Sequence, residues 1–328
     1  MADILLYNQG SSPFATLCRL VLAEKNLTFR KRDVSYYNWN QEHLEPFYAH
    51  VNPKMQIPAM TVTSESGDKT TLTDSRDILE YLENDLGSGR SLVDPKKKRE
   101  TWAFVDSFYA LKFMPLFMHN FRENQPAVLM MVKDGQEKTW AKLELLSKQY
   151  PELEQTYLDK REAMKKYTAD FIDSADQVPE NRKKAEDLLD EAEALLAGQP
   201  EGNQNRWLFG EYSVADCCMT QLVAMLRLLD IMSFDGRPNL KQFWEAAQKR
   251  PSYEAAGVTD ELPMKMRVMM FIGSMVWKAK AAVVPKWKEA MAEADRQVKE
   301  AKKAVSEQMK DAKKAVSENL DRAIGAKK

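Results

Sequence analysis

The front of the chain reads as short apolar runs separated by polar turns, and the remainder as long stretches with apolar positions three and four apart. Residues 4–7 (Ile-Leu-Leu-Tyr) and 29–34 have strand character, and between them Leu17, Leu20 and Val21 recur at helical spacing. Residues 59–63 and 70–72 bracket Ser-Glu-Ser-Gly-Asp at 64–68, a turn cluster that predicts a hairpin. Residues 77–86 supply a closing helix. The order β-α-β-α-β-β-α implies a small mixed sheet covered by helices.

Residues 87–96, Gly-Ser-Gly-Arg-Ser-Leu-Val-Asp-Pro-Lys, separate this region from a helical one. The fold class is therefore α+β, with a first domain over 1–88, an all-helical domain over 95–262 and a helical tail over 263–328. Trp102, Val105, Tyr109 and Phe113 form an apolar stripe that Pro115 is expected to end or kink. Residues 120–180 are charged and weakly periodic, which predicts an insert of solvated helices and loop. Residues 180–196 resume an amphipathic pattern, and 213–229 are almost continuously apolar, as a central buried helix would be. Ser213 and Asp216 are spaced as a capping box at its start, with Tyr212 placed to pack on Cys217.

Composition narrows the function classes. With 48 Lys+Arg against 49 Asp+Glu among 328 residues, the chain lacks the basic footprint that a phosphate backbone requires, so nucleic acid is not an expected partner. Three cysteines, Cys18, Cys217 and Cys218, suit neither a disulfide framework nor a zinc site, and no metal is expected. They fit a reducing compartment. The N-terminus lacks a signal-peptide pattern, and no run reaches the roughly 20 apolar residues of a membrane span. The expectation is a cytoplasmic protein, with a peripheral place on an organelle membrane as the variant.

Chemistry concentrates at three junctions. Ser11-Ser12 precede Pro13, which is set as the first residue of a helix, so Ser12 reads at minimum as an N-cap. At Ile57-Pro58 a proline opens a strand, which suits a cis peptide that exposes the Ile57 backbone. Asp74-Ser75 close the hairpin and cap a helix, presenting N–H groups and a hydroxyl to an anion.

Tyr7, Ser12-Pro13-Phe14-Ala15, Arg19, Asn52-Pro53, Gln56-Ile57-Pro58, and Asp74-Ser75 followed by Ile78-Leu79-Glu80-Tyr81-Leu82 together resemble the thioredoxin-like domain of glutathione S-transferases. Ser213-Val214-Ala215-Asp216 resembles the capping motif of that family's helical domain. The charged insert and the stretch over 237–253 are similar to the ganglioside-induced differentiation-associated protein 1 subfamily and to plant tetrachlorohydroquinone dehalogenase-like transferases.

The resemblance implies a homodimeric enzyme that conjugates glutathione to a small apolar electrophile. A free thiol titrates near 8.5, so a hydroxyl donor and a helix N-terminus that favour the thiolate are needed at neutral pH. Ser12 is placed for both, with Ser11 as the second candidate. Ser-Pro-Phe-Ala stands where cysteine-using relatives have Cys-Pro-Phe-Ala, which points to conjugation rather than mixed-disulfide chemistry. Cys18 is expected to be packing. By the same resemblance Ile57, before Pro58 and beside Gln56, pairs with the cysteinyl part of glutathione, and Asp74 and Ser75 hold the γ-glutamyl end. His43 matches a histidine near the glycyl carboxylate, with a plain surface histidine as the alternative. Trp102, Val105, Phe108 and Tyr109 suit an electrophile wall and a core stripe equally.

The tail differs from ordinary transferases. Residues 268–277 are uncharged but only half a span long, flanked by Lys265, Arg267, Lys278 and Lys280. Residues 300–310 and 311–321 repeat an 11-residue pattern with a narrow line of small apolar residues and paired lysines. Such a helix is either solvated or a weak binder of anionic membrane. The alternative function is thus a glutathione-fold adaptor or sensor at a membrane surface, of an organelle-shaping kind.

Overall fold

A computed structural model describes residues 2–36, 40–199 and 207–260, with Ile272 and Met275. Strands β1 (Asp3–Asn8), β2 (Arg30–Asp33), β3 (Ala59–Thr63) and β4 (Lys69–Leu72) form one sheet in the order β2-β1-β3-β4. β1 runs parallel to β2 and antiparallel to β3, which pairs antiparallel with β4. Both faces of β1 are covered: Ile4 and Leu6 join the main core, while Tyr7 packs with Tyr48 and Ala59 on the opposite face. β2 is an exposed edge strand, and its Arg30, Lys31 and Arg32 suit an edge that must not pair with another chain.

The helices are α1 (Pro13–Glu24), α2 (Pro46–Val51), α3 (Ser75–Asn84), α4 (Lys98–Ala110), α5 (Phe113–Asn124), α6 (Pro126–Gln149), α7 (Glu154–Tyr167), α8 (Val178–Ala197), α9 (Val214–Leu228), α10 (Pro238–Gln248) and α11 (Pro251–Ala256). This is the thioredoxin-like sheet-and-helix architecture followed by a helical region that the sequence implied. α9 is buried along almost its whole length. At its start the Ser213–Asp216 capping box is formed, and Asp216 also accepts the Leu208 N–H at 2.8 Å.

Two expectations are corrected. Pro115 does not end α4: the break falls at Leu111-Lys112, and Pro115 sits in the first turn of α5, where a missing N–H costs nothing. Residues 120–180 do not form a merely solvated insert. α6 and α7 make an antiparallel hairpin that buries Leu143, Leu146, Leu153 and Tyr157 against Leu44, Ala49 and Met55, residues of the segment between β2 and β3. At the other end, Leu129 of α6 and Ile172 pack on Met118 of α5.

The segment expected as a linker is pinned. The Arg90 N–H donates to the Lys25 carbonyl at 3.2 Å, the Leu92 N–H to Glu83, and the Val214 N–H to the Leu92 carbonyl at 3.0 Å. Gly89 adopts φ +81°, and a Cβ there would lie 2.6 Å from the Lys25 carbonyl oxygen. Gly89→Ala is expected to lower stability by about 1–3 kcal/mol, from the left-handed backbone and the clash together, read as a lower urea midpoint.

The chain divides into two compact units, residues 1–268 and 269–328. Apart from Ile272 and Met275, the tail over 263–328 lies outside the described residues, and so do the expectations for it. Among the described residues, no helix is long and apolar enough to cross a membrane, and no group of side chains is arranged to hold a metal ion.

Candidate functional site

Strand register decides which loops meet. Tyr7 pairs with Ala59 and Met60 with Leu72, so the end of β1, the start of β3 and the end of β4 lie side by side at one end of the sheet. The segments that follow or precede them, 9–12, 56–58 and 73–75, share that end.

Ser12 is the N-cap of α1, and its Oγ accepts the Ala15 N–H at a long 3.4 Å. Accepting leaves the hydroxyl proton unused, and among the described residues nothing takes it. Ser11 is exposed and spends its proton on Gln9 Oε1 at 3.0 Å. The turn is fixed from below by buried Arg19, which donates to Asn8 Oδ1, Thr16 Oγ1 (2.8 Å), the Gly10 carbonyl (3.3 Å) and the Ala256 carbonyl (2.8 Å). Cys18 lies in the core, and burial pushes its thiol up, away from nucleophilic use.

The second loop is shaped by its own side chains. Ile57–Pro58 is cis. The Gln56 carbonyl accepts from Tyr48 Oη at 2.5 Å and from Asn52 Nδ2 at 2.8 Å. With Gln56 held from below, its side chain is exposed, and among the described residues the Ile57 N–H and C=O have no partner. An extended peptide can take both.

In the third segment Asp74 caps α3, accepting the Arg76 N–H at 2.9 Å. Ser75 is 7% exposed, and its Oγ accepts from Tyr109 Oη at 3.0 Å, so its own proton is free for an anion. Tyr109 belongs to α4 and stacks on Phe14 at 5.9 Å, joining the helical region to the first turn of α1 and to the third segment. The other positions considered for an electrophile wall divide differently: Val105 and Phe108 are core, and Trp102 lies under the Arg76 guanidinium.

His43 is not the surface histidine of the plainer reading. It is 2% exposed, its Nδ1 lies 3.2 Å from the Ser35 carbonyl, and Tyr36 stacks on it at 4.1 Å. Burial, reinforced by the charge on Lys160, pulls its pKa down to about 3, so the ring is neutral and offers no charge to a carboxylate. Below pH 6.5 the unfolded chain therefore binds a proton that the folded one refuses, and stability falls as pH drops from about 6.5 toward 3. By pH 5 this amounts to about 2 kcal/mol. Asp216, raised to about 6 by burial, works in the opposite direction between about 4 and 6. The check is the difference between wild type and His43→Gln: urea midpoints that diverge equally at pH 7 and pH 5 would refute the assignment.

One residue in this region carried no sequence signal. Lys160 of α7 is 9% exposed and donates from Nζ to the carbonyls of Lys54 (2.7 Å) and Met55 (3.4 Å), just ahead of Gln56. Burial lowers its pKa to about 8. It stands in a run of charges, Asp159-Lys160-Arg161-Glu162, where nothing but its spacing from Tyr157 marks it as inward-facing.

Comparison with known proteins bears on this geometry. The N-terminal domain of glutathione S-transferases matches residues 11–85, and the C-terminal domain of the same enzymes matches residues 113–251. The chain belongs to the glutathione S-transferase family. Glutathione S-transferase TCHQD of Arabidopsis thaliana is 26% identical over 262 residues, which cover 76% of this chain and 87% of that protein. Its name is that of the plant group expected from the sequence. Among solved structures, glutathione transferase F7 from Populus trichocarpa superimposes with a TM-score of 0.51 at 22% identity, covering 77% of this chain and 97% of its own. The beta-etherase LigF from Sphingobium sp. strain SYK-6 gives 0.53 at 21% identity, with 77% and 98% covered. At such identities the structures establish the glutathione S-transferase fold alone. The N-terminal match contains Ser11, Ser12 and the whole of the second and third segments.

Proposed function

We propose that this chain conjugates glutathione to an apolar electrophile, with the Ser12 hydroxyl and the N-terminus of α1 stabilising the glutathione thiolate. The observation that carries the reading is the unspent Ser12 proton at the end of the sheet where the Ile57 backbone and the Asp74-Ser75 cap also converge. A peptide extended along Ile57 would reach Asp74 with an ammonium and Ser75 with a carboxylate. Its thiol would stand over Ser12, where a donor and a helix N-terminus both favour negative charge. The family supports glutathione as co-substrate and a homodimer as the assembly, and the named Arabidopsis relative supports transferase activity.

The test is calorimetric titration of glutathione into the full chain, with the ultraviolet thiolate band followed at the same time. Saturable binding with a growing thiolate band is the expected result. Binding without the band would refute catalysis and leave a sensor. No binding would favour the second reading, an adaptor at an anionic membrane surface, for which the paired lysines of the 11-residue repeats over 300–321 speak.

A further inference from the structure

The strand order gives a bound glutathione a direction. With its γ-glutamyl end at the close of β4, its cysteinyl part on the first residues before β3 and its thiol over the end of β1, the glycyl end points toward β2 and the segment that joins β2 to β3. That segment, residues 41–55, is the one covered by the α6–α7 hairpin. The carboxylate there needs a cation, and His43 is neutral.

Of the cations on this side, Arg30 of β2 is paired with Asp3 and Lys31 is exposed. Lys142 is already paired with Glu45 at 3.0 Å. Arg32 lies over the Phe47 ring at 4.0 Å. Lys54 is exposed. Lys160 differs from all of these: it is more than nine-tenths buried, and among the described residues no carboxylate lies within ion-pair distance of it. An ammonium has three N–H donors, and two of these go to the Lys54 and Met55 carbonyls. A buried cation without a counter-ion is costly, and an anion that completes its third bond relieves that cost.

We infer that Lys160, carried in by the helical hairpin, supplies the cation that receives the glycyl carboxylate of glutathione. The inference rests on the glutathione reading above. It assigns to the insert a share of a binding site that otherwise belongs to the N-terminal family match over residues 11–85, and it makes the hairpin a specificity element: a thiol lacking that terminal carboxylate leaves Lys160 unpaired.

The test compares glutathione with its glycyl ethyl ester, in which the carboxylate is masked, by calorimetry on wild type, Lys160→Met and Lys160→Arg. In the wild type the ester is expected to bind roughly 10- to 100-fold more weakly than glutathione, the span of a hydrogen bond to a charged group. In Lys160→Met glutathione should fall to the level of the ester while the ester itself is unchanged, and Lys160→Arg should restore part of the difference. Equal weakening of both ligands in Lys160→Met would show that the lysine only pins the loop, and would overturn the assignment. So would an unchanged preference for glutathione in that variant, which would move the role to Lys54. A wild type that binds neither ligand would overturn the glutathione reading itself, a result distinct from the other two.

Discussion

Ser12→Ala is expected to lower turnover of a generic electrophile about 10²-fold, the effect of removing one positioned donor from a developing or resident negative charge. The loss should fall on kcat, because the contacts proposed for glutathione at Ile57, Asp74 and Ser75 are untouched. The thiolate band on binding should vanish at neutral pH and reappear only as the pH approaches that of a free thiol, roughly 8.5. The structural cost is small: the cap bond to Ala15 is 3.4 Å long, so its removal costs about 1 kcal/mol or less. Unchanged turnover in Ser12→Ala, with a loss in Ser11→Ala, would transfer the role to the exposed neighbour.

The largest effect on stability is expected at Glu83→Ala. Lys25 and Glu83 face each other at 2.9 Å with side chains only 2% and 6% exposed. Glu83 also accepts the Leu92 N–H at 3.1 Å and the Ser91 hydroxyl, while Lys25 donates to the Arg90 carbonyl at 2.9 Å. Removing the carboxylate leaves a buried ammonium with a single carbonyl partner and strands a backbone donor. The expected loss is about 3–5 kcal/mol, measured by urea denaturation. The double variant Lys25→Met, Glu83→Leu should recover most of it, since an apolar pair of similar volume needs no charge compensation. A double variant as unstable as Glu83→Ala would show that the cost lies in the lost bonds to residues 91 and 92.

The elements that were legible in the sequence are those whose partners lie close in the chain. The hairpin at 59–72 announced itself by alternation around a turn cluster, and β3 runs over the expected residues. The Ser213–Asp216 box was legible because both halves of a cap lie within four residues. Of the candidate site, Ser12, Ile57, Asp74 and Ser75 come to one end of the sheet because turn and cap chemistry is local. What escaped was non-local. The apolar stripe of α6 and α7 is narrow, since its partner is the short segment at 44–55 rather than a whole domain face, so the pattern looked solvated. Burial of His43 follows from the same docking, and a histidine between Glu42 and Leu44 gives no hint of it. Pro115 misled because a proline reads alike at the end of one helix and in the first turn of the next.

The docking of the hairpin also sets an order of assembly. Tyr157 donates to the Leu44 carbonyl across 113 residues of chain, and Lys160 reaches back 106 to Lys54. A ribosome that has released the whole four-stranded sheet has therefore not yet released the side chains that bury Leu44, Ala49 and Met55. The nascent front half thus carries that apolar face uncovered until α7 has emerged.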